Sequence, residues 1–171
     1  MEINRTTTVA FTGHRSYGGR GGEATDALVA VIEELYARGF RTFLSGMAVG
    51  FDLAAAEAVI ACRASMPELQ LIAVVPFRAQ EGRFSSRDRV RFDRILNDAD
   101  AVEILSEVYY AGCYAVRNDF LVAHASLLVA WYDGSVGGTC YTVQRAQRVG
   151  LELINLHPAA PAVSPKEPTL F

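Results

Sequence analysis

The chain is almost without lysine. Lys166 is the only one, and arginine supplies the rest of the 16 basic side chains that face 19 acidic ones. The planar guanidinium suits bidentate contact with phosphate or carboxylate, although a bias in genome composition leaves the same mark. The formal net charge of -3 provides no bulk field to draw in a polyanion, so nucleic acid is not an expected partner. Cysteine is scarce as well. Cys62, Cys113 and Cys140 are odd in number and far apart, with no CxxC pair. That pattern indicates neither a zinc site nor a disulfide framework, and no metal is expected. Cys62 reads as a helix core residue. No apolar stretch reaches the length of a membrane span. Met1-Glu2-Ile3-Asn4-Arg5 leads into a short strand and not into a secretory leader. A cytoplasmic protein with no membrane partner is expected.

What is present is alternation. A chain of 171 residues fits one domain with a real core. Thr8 to Thr12 reads as a strand, Glu23 to Arg38 as a helix stopped by Gly39, and Arg41 to Leu44 as a second strand. A helix runs to about Ala64, and Leu69 to Val75 is a nearly all-apolar third strand, ended by Pro76. A polar connection becomes a helix reaching about Asn97, before a fourth strand at Ala101 to Leu105. Its arginines, Arg87, Arg89, Arg91 and Arg94, alternate with Asp88 and Asp93, the pattern of a solvated face with internal ion pairs. Cys113 to Ala125 is a helix, Leu127 to Tyr132 a fifth strand, Thr139 to Val149 a helix stopped by Gly150, and Leu151 to Leu156 a sixth strand. The pattern predicts an α/β domain over residues 1–156 in three layers, with a mainly parallel sheet of about six strands between helices. Residues 157–171 form a proline- and alanine-rich tail, expected to be peripheral.

Three glycine loops follow strands one, two and five, so all three should meet at the carboxyl edge of the sheet, where such folds bind ligands. The fifth strand breaks into Asp133-Gly134-Ser135-Val136-Gly137-Gly138-Thr139 and a helix follows. Glycines let a backbone approach an anion, and the free N–H groups of a first helical turn point at it. Gly137, Gly138 and Thr139 are therefore candidate phosphate ligands, with Asp133 beside them. In Gly13-His14-Arg15, Gly13 permits a tight turn, Arg15 suits a phosphate or carboxylate, and His14 either caps a carbonyl or serves as an acid–base group. In Ser45-Gly46-Met47-Ala48-Val49-Gly50-Phe51-Asp52, the loop offers helix-start donors. Asp52 fits an N-cap, and a carboxylate here also suits a ribose hydroxyl. Arg117 and Asn118 lie near a helix start. They form either a surface arrangement with Asp119 or a buried pair that braces the ligand loops. Tyr109 and Tyr110 could stack on a base, or serve as aromatic edges of the core.

Phe11-Thr12-Gly13-His14-Arg15, the Ser45-Gly46…Gly50…Asp52 loop, Gly112-Cys113-Tyr114…Arg117-Asn118 and Gly137-Gly138-Thr139, in that order, resemble the YpsA-like branch of the SLOG superfamily. That superfamily also holds the LOG phosphoribohydrolases and the DNA-processing protein DprA. The resemblance covers roughly residues 7–156. It implies a Rossmann-like fold and a pocket for a nucleotide or a derivative such as ADP-ribose or NAD, with a role as a sensor or regulator. In LOG enzymes the phosphate loop reads PGGxGTxxE, and its glutamate works with an upstream helix arginine on the N-glycosidic bond. Here Gly138-Thr139 aligns with GT, and Arg117 stands at a position similar to the arginine's, which makes it the candidate catalytic residue. The glutamate position falls on Thr142, which has no carboxylate to offer. Asp133-Gly134-Ser135-Val136-Gly137 replaces the PGG start. Three functions follow as expectations: a nucleotide-binding module, an N-glycosidase with a carboxylate relocated to Asp52, Asp133 or Asp119, and a DprA-like binder of single-stranded DNA. The same resemblance carries the expectation of a homo-oligomer.

Overall fold

The computed structural model describes residues 2–17 and 22–158. Most of the proline- and alanine-rich tail lies outside these residues. The order is β1 (Thr8–Gly13), α1 (Gly22–Ala37), β2 (Thr42–Ser45), α2 (Phe51–Cys62), β3 (Gln70–Val75), α3 (Ser86–Asp98), β4 (Ala101–Ile104), α4 (Cys113–Ala123), β5 (Leu127–Trp131), α5 (Gly138–Arg148) and β6 (Glu152–Asn155). Two single 3-10 turns, Arg5–Thr7 and Gln80–Arg83, precede β1 and α3. The predicted alternation is present, with boundaries shifted by a residue or two. Gly39 and Gly150 end α1 and α5 as read. Phe40 N–H reaches back to the Leu35 carbonyl at 3.0 Å and Leu151 N–H to the Ala146 carbonyl at 3.0 Å, the Schellman pattern of a glycine stop.

All six strands are parallel, in the order β4-β3-β2-β1-β5-β6. The first four strands therefore step outward from β1 in one direction. The chain then returns to lay β5 on the other flank of β1, with Val9 opposite Leu127 and Gly13 opposite Trp131. Alternate residues of each strand feed two cores. Val9, Phe11, Phe43, Leu71, Ala73 and Val129 pack against Leu28, Ile32 and Leu35 of α1, Leu53 and Val59 of α2, and Phe92 of α3. Ala10, Leu44, Ile72, Val74, Leu128 and Ala130 pack against Leu121 and Val122 of α4 and Val143 and Ala146 of α5. This is a doubly wound, three-layer, Rossmann-like arrangement. Among the described residues no helix is long and apolar enough to cross a membrane.

The arginine-rich α3 largely matches its sequence reading. Arg91 pairs with Asp88 at 3.2 Å on its own helix and also reaches Glu57 of α2 at 2.5 Å. Its guanidinium is thus an inter-helix tie as well as a surface charge.

Candidate functional site

The strand order reverses between β1 and β5, and the carboxyl ends of those two strands frame a cleft, as the fold class dictates. It has a volume of about 400 Å³. Gly13, His14 and Arg15 come to it from the end of β1, Ala48 and Asp52 from the β2–α2 connection, Tyr114, Arg117 and Asn118 from α4, and Gly138 and Thr139 from the start of α5. The expected convergence of three glycine loops on one edge is what the topology produces.

The centre of the cleft wall is a buried cation. Arg117 is only 6% exposed. Its Nε donates to Asn118 Oδ1 at 2.8 Å and its Nη1 to the Gly46 carbonyl. Of the two sequence readings, the buried Arg117–Asn118 pair is therefore the one realised. Asp119 instead accepts from Tyr141 Oη at 2.8 Å and pairs with Arg145 at 2.9 Å on the outer surface. Gly46 is a packing requirement of the arginine, since a Cβ there would lie 2.8 Å from Arg117 Cδ.

Asp52 requires a correction. Asp52 does not cap α2. The helix begins at Phe51, the N-cap position is Gly50, and no side chain caps it. Asp52 is the second helical residue, 5% exposed, and its Oδ2 turns back to accept from Ala48 N–H at 3.3 Å. Its Oδ1 has no hydrogen-bond partner among the described residues. Burial pushes the carboxyl up to about 6, against the opposing pull of Arg117, the Ala48 N–H and Arg15. The same burial pushes Arg117 below the usual guanidinium range, opposed by Asp52. The site thus contains an acid and a base, both desolvated and each the other's main counter-charge.

The remaining predicted residues divide clearly. Ser45 does not line the cleft. Its Oγ donates to the Asp52 carbonyl at 2.9 Å and accepts from Met47 N–H at 3.2 Å, which knots the loop beneath the site. Gly50 has φ +89° and lies so close to the segment that follows β1 that a Cβ would meet the Arg15 carbonyl oxygen at 2.5 Å. Arg15 is exposed and has no ion pair among the described residues. His14 Nε2 lies 3.1 Å from Asp133 N–H, which donates to it when the ring is neutral, and 2.8 Å from Asp133 Oδ1, to which a protonated ring donates. Asp133 stands on the rim. Hydrogen bonds from the Ser135 hydroxyl at 2.6 Å and backbone N–H at 2.8 Å hold its carboxyl down at about 2.

At the start of α5, Gly137 occupies the N-cap position without a side-chain cap, Gly138 opens the helix, and Thr139 is buried beside it. Thr142 is fully buried, and its hydroxyl donates to the Gly138 carbonyl at 2.9 Å. Sequence reading missed Tyr114 as a wall of the cleft. The signal was available, since Tyr114 precedes Arg117 by three residues and so shares its helix face. The Arg117 guanidinium carbon lies 5.7 Å from the Tyr114 ring centre. Among the described residues no cluster of three or more His, Cys, Asp or Glu side chains could hold a metal ion.

The fold and the switch-point cleft define a doubly wound α/β domain whose site is built by strand-end glycine loops. The family model described as YspA SLOG family matches residues 24–153, and the chain belongs to that family. It is 30% identical to the uncharacterized SPbeta prophage-derived protein YoqJ of Bacillus subtilis, over 78% of this chain and 86% of that protein. It is 32% identical to a UPF0398 protein of Halalkalibacterium halodurans over 66% of this chain, and spans 58% of that relative's length. Among solved structures, DNA processing protein A from Helicobacter pylori shares the fold with a TM-score of 0.59 and 18% identity, covering 85% of this chain and 63% of that one.

Proposed function

We propose that the switch-point cleft holds the phosphorylated end of a nucleotide or nucleotide derivative, and that the protein works as a binding module of the sensor or regulator kind. The observation that carries this reading is the position of buried Arg117 and Asn118 beside the uncapped start of α5. The first N–H groups of that helix have no intrahelical acceptor and point outward. Arg117 and Arg15, which has no ion pair among the described residues, add positive charge, and Thr139 adds a hydroxyl. Asp52 supplies a polar group suited to a sugar hydroxyl. Thr142, committed to the Gly138 carbonyl, supports holding a ligand over cutting one. Calorimetry with AMP, ADP-ribose and NAD tests the reading. Binding of at least one, abolished by Gly138→Asp, is expected; no binding by any of them removes it.

One observation favours a second reading. Of the three carboxylates that could replace the missing glutamate, only Asp52 lines the cleft. It lies within electrostatic reach of Arg117 and titrates at about 6, near the working range of a general acid or base. A nucleotide N-glycosidase on this basis would release free base from a nucleotide panel and lose that activity in Asp52→Asn. Silence at high enzyme concentration excludes it. The expectation against nucleic acid is weakened by the fold likeness to the Helicobacter pylori protein, whose structure is described as revealing a single-stranded DNA binding mode. A phosphate cleft of this kind accepts a backbone phosphate by the same contacts. A gel-shift titration with single-stranded DNA at low salt separates the two: a shift favours DNA, and its absence leaves the small ligand.

A further inference from the structure

The cleft continues past Tyr114. A second cavity of about 360 Å³ shares Arg15, Ala48 and Tyr114 with the first and extends between the β2–α2 connection and the segment that leads into α3. Its other walls include Gln80, Phe84 and the oppositely charged Arg83 and Asp88. Gln80 is 2% exposed, and its Oε1 is buried without a hydrogen-bond partner among the described residues. A buried amide oxygen left unpaired opposes folding and calls for an explanation. The backbone immediately before it is strained as well: Ala79 has φ +65°, a left-handed conformation that residues with a Cβ rarely adopt. This turn is held against the end of β4 by Arg78 N–H, which donates to the Ser106 carbonyl at 2.9 Å. A strained, anchored turn thus carries a neutral amide into the wall of a cavity.

The chemistry of the walls selects the occupant. An amide offers a donor beside an acceptor, the pattern that matches the edge of a nucleobase. Tyr114 supplies an aromatic surface, and Ala48, Val49 and Phe84 are apolar. Strand order sets the reach. From β5, which leads to the phosphate end, to β3, which leads to Gln80, is three strand spacings, about 14 Å at ~4.8 Å each. That span suits an extended nucleoside phosphate.

We propose that the second cavity is the base subsite of the ligand whose phosphate end occupies the first, with Gln80 reading the base edge and Tyr114 forming the wall common to both. The proposal rests on the phosphate reading of the cleft. Calorimetry of the full chain with the four ribonucleoside monophosphates and with ribose 5-phosphate tests it. At least one nucleotide is expected to bind ten-fold or more tightly than ribose 5-phosphate. Gln80→Leu is expected to bring that nucleotide down to the sugar phosphate's affinity while leaving the sugar phosphate unchanged. The wild-type comparison stands even if the variant fails to fold. If no nucleotide exceeds ribose 5-phosphate, or if Gln80→Leu weakens both by the same factor, the base subsite is overturned. In the first case, binding of ribose 5-phosphate leaves the phosphate reading intact, and absence of all binding removes both.

Discussion

Glycine-rich loops after β1 and β2 and the one after β5 look alike in sequence and meet at the same edge, yet their glycines face opposite surroundings. A Cβ on Gly13 would fall 2.4 Å from the Phe51 side chain, one on Gly46 2.8 Å from Arg117, and one on Gly50 2.5 Å from the Arg15 carbonyl. These glycines let parts of the protein press against one another. A Cβ on Gly138 would meet only Asn118 Nδ2 at 3.8 Å, and Gly134 and Gly137 have nothing within 4 Å. That loop leaves room for something other than protein. The difference teaches that a glycine motif at a strand end is two devices under one spelling: a hinge of close packing on one flank of β1 and an open cradle on the other.

Gly50→Ala should produce the largest effect, since it combines a left-handed φ with a backbone clash. A loss of more than about 3 kcal/mol, or failure to fold, is expected in urea denaturation. A loss below about 1 kcal/mol would mean that the packed flank relaxes as easily as the open one, and the contrast would collapse. Asp52→Asn tests the packed flank by pH. The Asp52 carboxyl sits at about 6 in the folded chain against an ordinary 3.8, so between those values the folded state holds the proton more tightly than the unfolded one. Its contribution to stability is complete below about 3.8, declines as pH rises, and is gone above about 6. Stability at pH 7 relative to pH 4 should rise in the variant compared with the parent, by at most about 3 kcal/mol for a shift of roughly two units. Asp133, held at about 2, stays ionised through this window. An unchanged pH profile would show Asp52 to be solvated. Gly138→Ala should matter least to the fold, changing stability by less than about 1 kcal/mol. A large destabilisation there would show that the open loop is packed after all.

The fold was legible because its signals are periodic. Near-continuous apolar runs such as Leu69 to Val75, short, rich in branched residues and closed by Pro76, read as two-face-buried strands, and glycines after α1 and α5 stop helices by a local rule. Convergence of the loops followed from parallel topology alone. Site chemistry was less legible because it depends on burial. Asp52 precedes an apolar helix and so has the look of a cap, but the helix starts one residue earlier and the carboxylate turns inward toward Arg117. Arg117, Asn118 and Asp119 are three polar residues in a row, and nothing local says that the first two are buried and the third is not. Gln80 sits in an aperiodic connection, and nothing local to it signals the left-handed turn at Ala79 or the burial of the side chain that follows it.

The strand order has a consequence for how the molecule is made. β1 lies in the middle of the sheet, but its partner on one flank is β5, so Val9 waits for Leu127. As the chain emerges, β1 to β4 can assemble with that flank of β1 unpaired, and loop closure of this length slows completion. The cleft lies across this late seam. The side built by α5 does not exist until most of the chain has been synthesised, so a shortened chain ending before β5 would carry a bare central strand and half a cleft.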